Sequence, residues 1–327
     1  MRHVRFFMLP LLFAVTGCIF VEAAFPDDIA VPEVKAESSA AVLARGEYLF
    51  HHVAGCAGCH SERDWNAHAA PIKEGTLGKG GEAWDERAGF PGALYGKNIT
   101  PAALSTWTDG EILRATTSGI SKDGTPLFPI MPYEKYGHAS KDDMLAIVAY
   151  MRTLAPIEST IPERRLEGPL GFIVRAMPKE AALVDETPKP GDAAFPAYVT
   201  NLAGCLTCHT EADDRGQLIE GKHYAGGRAF PMPTGGVVRS ANLTPDDETG
   251  LGRWTREAFV ARFKATTVEV ARAQPVAAGT YNTLMPWTEY AGMTEEDLGG
   301  IYDYLRALPP QKNLVEKFTA DVTLATK

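Results

Sequence analysis

The sequence predicts an all-α protein built as two copies of one small helical domain. Three observations lead there: a five-residue motif that occurs twice, a set of other residues that recur in the same order, and a final helix in each copy with one apolar stripe. At 327 residues the chain has room for about two ordinary domains. Its 45% apolar and 22% charged residues suit well-formed cores under a water-facing surface.

The recurring motif is Cys56-Ala57-Gly58-Cys59-His60, answered by Cys205-Leu206-Thr207-Cys208-His209. Around it Gly80-Gly81 answers Gly226-Gly227, and Phe90-Pro91 answers Phe230-Pro231. Asn98-Ile99-Thr100-Pro101 answers Asn242-Leu243-Thr244-Pro245, and Trp107-Thr108 answers Trp254-Thr255. Met131-Pro132-Tyr133 answers Met285-Pro286-Trp287, with Tyr136 answering Tyr290. The offset drifts from 149 at the cysteines to 144 and then 154, so insertions lie in loops between the shared positions.

The last helix of each copy is set by its cap and its period. Ser140 and Thr294 are N-cap residues, each followed three positions later by Asp143 or Asp297. Met144, Ile147, Val148, Met151 and Leu154 then fall on one helical face, as do Leu298, Ile301, Tyr302, Leu305 and Leu308. Pro156 and Pro309 end the two helices, because proline cannot continue the hydrogen-bond ladder. Thr108 and Thr255 cap a further helix in each copy, and Val42 to Phe50 suggests another, interrupted at Gly46. The expected organisation is a domain at 40–156, a Pro-rich linker at 157–194, a second domain at 195–310 and a tail at 311–327.

Cys-x-x-Cys-His is the attachment signature of c-type haem. Two thiols three positions apart at a helix start reach the two vinyl groups along one porphyrin edge, and the next residue sets its imidazole beneath the iron. A redox dithiol or half a zinc site would also use Cys-x-x-Cys, but neither needs the adjacent histidine. Two covalently bound haem c groups are therefore expected, on Cys56 and Cys59 with His60, and on Cys205 and Cys208 with His209. A thioether on the opposite face would complete each iron and raise its potential. Met131 and Met285 are the candidates, since both precede proline, which favours extended backbone, and both occupy matching places in the repeat. Met232, between two prolines, is the competitor in the second copy; Met144 and Met151 lie on the helical stripe as core. Asn98, Asn242, Trp107 and Trp254 could donate to haem propionates or could equally serve a turn with a core tryptophan beside it. Arg63, close to the first motif, is expected to be solvated.

The fifth cysteine has its own place. Met1-Arg2-His3-Val4-Arg5 is a basic start, and Phe6 to Val15 is an apolar stretch too short to span a bilayer. It leads into Val15-Thr16-Gly17-Cys18, which resembles a bacterial lipobox, so residues 1–17 are expected to be a signal peptide and 18–39 a tether acylated at Cys18. The alternative is an ordinary signal peptide cleaved near Ala23-Ala24. Either way the protein is exported, and the expected location is periplasmic, lipid-anchored to a bacterial membrane. The formal charge of −9 lacks the clustered basic surface of a nucleic-acid-binding protein and suits docking to a basic protein partner.

In these motifs the chain resembles the cytochrome c subunit of membrane-bound alcohol and gluconate dehydrogenases. The resemblance rests on Arg45-Gly46-Glu47-Tyr48-Leu49, on Asn242-Leu243-Thr244-Pro245-Asp246, on Thr249-Gly250-Leu251-Gly252-Arg253-Trp254-Thr255 and on the two Met-Pro-aromatic triplets. It implies that the two copies are cytochrome c domains, and electron transfer from a dehydrogenase subunit to an acceptor in the respiratory chain. By that similarity Cys56, Cys59, His60 and Met131 serve one haem, and Cys205, Cys208, His209 and Met285 the other. Two departures stand out: the family usually has three haem domains, and the first copy lacks the Thr-Gly-Leu-Gly insert before its tryptophan. Electron carriage is the leading expectation. A dihaem enzyme, either a cytochrome c peroxidase or a thiosulfate dehydrogenase, is the alternative, and a haem-based sensor is a third class without a transmitter segment to support it.

Overall fold

The computed structural model describes residues 29–213 and 216–320. The signal segment and Cys18 therefore lie outside the described residues. Helix α1 (Ala40–Tyr48) starts where the Ser39 hydroxyl accepts from the Val42 amide, and continues as a π-helical turn over Leu49–Val53. The motif helix α2 (Cys56–Cys59) follows, entered through Gly55 at φ 72°, a left-handed conformation that costs a residue with a Cβ and costs glycine little. Helix α3 (Pro101–Leu104), α4 (Asp109–Ser118), α5 (Tyr133–Tyr136) and α6 (Lys141–Met151) complete the first set. After α7 (Leu170–Ile173) the order recurs as α8 (Phe195–Ala203), the motif helix α9 (Cys205–Cys208), α10 (Arg256–Lys264), α11 (Val268–Arg272), α12 (Trp287–Tyr290) and α13 (Glu295–Arg306).

The caps stand where the sequence places them. Ser140 and Thr294 accept from the amides of Asp143 and Asp297. Thr108 forms a full capping box with Glu111, and Thr255 accepts from the Ala258 amide. The apolar stripes are buried: Met144, Ile147, Val148 and Met151 in α6, and Leu298, Ile301 and Leu305 in α13.

Two expectations need correction. The chain is not purely helical: β1 (Ala83–Trp84), β2 (Gly92–Tyr95) and β3 (Arg165–Leu166) form one antiparallel sheet, and β4 (Ala229–Pro231), β5 (Val237–Arg239) and β6 (Phe318–Thr319) form another. The third strand of each sheet comes from the segment after the last helix, so the linker and the tail play the same part in their respective sets. Gly46 also does not interrupt its helix. It lies at the crossing of α1 and α6, where a methyl group on it would come within 2.0 Å of the Ala146 carbonyl oxygen. In the second set the small and large partners are exchanged: Gly300 on α13 faces Phe195 on α8, and a methyl on Gly300 would sit 2.7 Å from that ring.

The two sets touch reciprocally. Tyr198 of α8 donates to Asp143 at 2.6 Å and accepts from the Ser140 amide at 3.2 Å, at the head of α6. Tyr48 of α1 donates to Asp297 and accepts from the Thr294 amide at 3.0 Å, at the head of α13. Each tyrosine thus closes the helix cap of the opposite set. Arg45 completes one of these nodes with a bidentate ion pair to the buried Asp143, at 2.8 and 2.7 Å. Charge-assisted forks of this kind are among the stronger side-chain contacts.

Candidate functional site

The two Cys-x-x-Cys-His turns are built alike down to their hydrogen bonds. His60 follows α2 and directs Nδ1 to the Lys97 carbonyl at 2.7 Å; His209 follows α9 and directs Nδ1 to the Ala241 carbonyl at 2.8 Å. A carbonyl can accept but not donate, so Nδ1 carries the proton and Nε2 keeps a free lone pair. Burial lowers the pKa of both histidines, which keeps them neutral, the form a metal ligand needs. The amide of Gly80 donates to the His60 carbonyl at 2.8 Å, and that of Gly226 to the His209 carbonyl at the same length. Behind each turn a tyrosine hydroxyl caps a residue just ahead of the motif helix: Tyr136 donates to the Ala54 carbonyl at 2.7 Å, and Tyr290 to the Ala203 carbonyl.

No disulfide joins the four cysteines among the described residues. Burial pushes Cys56 and Cys205 up to about 12, so neither is a thiolate at neutral pH. That counts against a redox dithiol, whose attacking sulfur needs a depressed pKa. It agrees with a pair of sulfurs destined for thioether bonds.

Met131 and Met285 are presented by the same device. In each, the amide two residues on bonds back to the methionine carbonyl, Tyr133 to Met131 at 2.8 Å and Trp287 to Met285 at 2.7 Å. The prolines between them adopt φ −81°, ψ 53° and φ −77°, ψ 61°, the geometry of an inverse γ-turn. Both methionines are half-buried against the core at the head of the helix whose tyrosine anchors the motif turn. A single short unit, Met-Pro-aromatic-x-x-Tyr, thereby links each methionine to its Cys-x-x-Cys-His turn. Met232 is buried instead in the β4–β5 hairpin, where its amide bonds to the Gly236 carbonyl at 3.0 Å. Met144 and Met151 are core, as expected.

The open alternatives for the asparagines resolve toward turn chemistry. Asn98 accepts from the Thr100 amide and hydroxyl and donates to the Ile157 carbonyl, while Asn242 does the same with Thr244 and the Gln311 carbonyl. They fasten the segment leaving the last helix to the loop that holds the histidine. Arg63 is not solvated: it donates to the Ala70 and Ala69 carbonyls at 2.9 and 3.0 Å and stacks over Trp65. Tyr224 sits at φ 61° where the first set has Gly78, an unusual conformation for a bulky residue; its amide bonds Thr210 as that of Gly78 bonds Ser61.

Several contacts near the clasps carry no sequence motif. His51 bonds Tyr150 at 2.8 Å, and His52 bonds the Glu289 carbonyl at 2.8 Å across the two sets. Lys135 and Glu289, at matching positions in α5 and α12, also cross: a methyl on Gly204 would lie 2.9 Å from Lys135 Nζ, and one on Gly58 would lie 3.5 Å from Glu289 Oε1. The shared position is visible in the sequence, but the crossing is not.

A fold that presents a neutral, carbonyl-anchored histidine next to two thiols, twice, has the donor set of a haem-binding c-type cytochrome. Comparison with known proteins leads to the same class. The chain is 27% identical over 307 residues to the cytochrome c subunit of the quinone alcohol dehydrogenase of Komagataeibacter europaeus, covering 88% of this chain and 60% of that protein. It is 27% identical over 282 residues to the fructose dehydrogenase cytochrome subunit of Gluconobacter japonicus, covering 82% and 52%. A diheme cytochrome c-type protein of Cereibacter sphaeroides is 26% identical over 211 residues, covering 62% of this chain and 67% of its own. The chain is thus similar, over most of its length, to cytochrome c subunits of alcohol, fructose and gluconate dehydrogenases. It spans 52–64% of the length of those relatives. No family model matches it. Among the described residues no helix is long and apolar enough to cross a membrane.

Proposed function

We propose that this chain is a dihaem c-type cytochrome that carries electrons from a dehydrogenase to an acceptor of the respiratory chain. The observation that carries the reading is the duplicated clasp: in both copies the anchored histidine, the paired cysteines, the tyrosine tie and the methionine γ-turn recur with the same hydrogen bonds. Residues 40–156 form one cytochrome c domain and 195–310 the other. Cys56 and Cys59, and Cys205 and Cys208, would hold the two haem c groups through thioether bonds; His60 with Met131, and His209 with Met285, would ligate the irons. Haem so ligated supplies a one-electron couple whose potential the thioether raises.

The protein's own work is positional. The Lys97 and Ala241 carbonyls fix the tautomer and plane of each imidazole. Tyr136 and Tyr290 hold the start of each motif helix against the helix that presents the methionine. The same γ-turn presents a methionine in both copies, which disfavours the peroxidase alternative, since that chemistry needs one open iron. The first 17 residues serve as a signal peptide and Cys18 carries the lipid that keeps the protein at a bacterial membrane, facing the periplasm.

The test uses the chain matured with haem. Pyridine haemochrome analysis gives two haems per chain; stopped-flow mixing with a reduced quinoprotein or flavoprotein dehydrogenase reduces them, and an oxidised respiratory acceptor reoxidises them. Rapid peroxide turnover with an electron donor would move the protein to the enzyme class.

A further inference from the structure

The two clasps sit in unequal electrostatic surroundings. Lys135 and Glu289 occupy the same place in their copies, four residues after the methionine and one before the anchoring tyrosine. Each reaches the opposite clasp, Lys135 at Gly204 and Glu289 at Gly58, but with opposite charge. Glu289 is only 6% exposed; its Oε2 accepts from Thr288 at 2.8 Å, and its Oε1 has no hydrogen-bond partner. A carboxyl oxygen left bare beside Gly58 is expensive unless it acts on something there.

One more charge sits at the second clasp: Arg228 donates to the Thr207 carbonyl inside the motif at 2.7 Å.

We propose that this asymmetry poles the molecule: Lys135 and Arg228 hold the haem of the second clasp at the higher potential, and Glu289 holds that of the first at the lower. The inference rests on the two-haem reading. A nearby cation favours the ferrous state, which carries one positive charge fewer, and a nearby carboxylate favours the ferric state. A haem held by His60 would then give up one electron to a haem held by His209, the first oxidised and the second reduced, with no bond or proton moved. Donors are expected to deliver to the first half, and acceptors to draw from the second.

Spectroelectrochemical titration of the full holo-protein tests this, with Met131→Ala and Met285→Ala assigning the two waves. Met131→Ala should move the lower wave and Met285→Ala the upper. Glu289→Gln, which keeps the size of the side chain, should raise the lower wave and leave the upper in place. Lys135→Gln should lower the upper wave more than the lower. If Met131→Ala moves the upper wave, or if Glu289→Gln leaves the lower one in place, the proposal is overturned. Two haems titrating as one wave would overturn it too. A chain that binds a single haem would instead defeat the two-haem reading beneath it.

Discussion

Replacing Tyr136 with phenylalanine removes one oxygen and tests whether the tie behind the first clasp matters. The ring is buried and keeps its packing, so no large cavity opens. What is lost is the 2.7 Å bond to the Ala54 carbonyl, which sits immediately before Gly55 and the motif helix. Ala54 is itself buried, so water does not replace the hydroxyl. A typical net hydrogen bond contributes about 0.5–1.5 kcal/mol, whereas a buried carbonyl left without a donor costs about 1–3 kcal/mol. The expected loss is therefore about 2 kcal/mol, or a fall in Tm of roughly 4–8 °C at 2–4 °C per kcal/mol for a chain of this order of size. Burial also raises the phenol's pKa well above its ordinary value of about 10, so the hydroxyl stays protonated and the loss should be the same from about pH 6 to about pH 9. Thermal unfolding of the ferric holo-protein by circular dichroism measures it, with Tyr290→Phe as the matched variant. A Tyr136→Phe protein within about 0.5 kcal/mol of the parent would refute the claim that this hydroxyl anchors the clasp.

Other perturbations bear on neighbouring claims. Gly46→Ala gains about 1 kcal/mol of helix propensity but drives a methyl to 2.0 Å from the Ala146 carbonyl, so the α1–α6 crossing must open; a net loss of about 1–3 kcal/mol is expected in chemical denaturation. His51 is held neutral chiefly by burial, with His52 adding to the effect and Glu47 opposing it. Its folded pKa lies below its unfolded value of about 6.5, so the unfolded chain binds more protons between the two; stability is full above about pH 6.5 and declines as pH falls through that window, and His51→Gln should flatten the decline. Met131→Ala and Met285→Ala should each remove half of the sulfur-to-iron absorption at the red end of the visible spectrum. An intact band in both variants would disprove the ligand assignment.

What the sequence makes legible is what depends on local spacing. The cysteines and histidines sit within five residues, the caps three residues from their partners, and the helical stripes at a fixed period, so each can be placed without the fold. The two methionines are matched by the repeat, whereas the γ-turn that presents them is not legible there, since the proline beside each promises only extended backbone. The sheets are not legible because their strands are two to four residues long, too short for an alternating pattern, and their third members come from the Pro-rich linker and the tail, which carry no pattern of their own. Gly46 misleads for a related reason: glycine weakens a helix locally, and its value at a close crossing depends on Ala146, a hundred residues away. The crossed contacts of Tyr48, Tyr198, Lys135 and Glu289 depend on how the two sets of helices meet. No local rule reports that.

The carrier reading depends above all on both irons being sealed between an imidazole and a thioether. Electron paramagnetic resonance combined with magnetic circular dichroism of the resting ferric protein examines this directly. Two low-spin centres, both with the methionine signature, are the predicted result; a five-coordinate high-spin iron at either site would contradict it and turn the protein from a carrier into a catalyst.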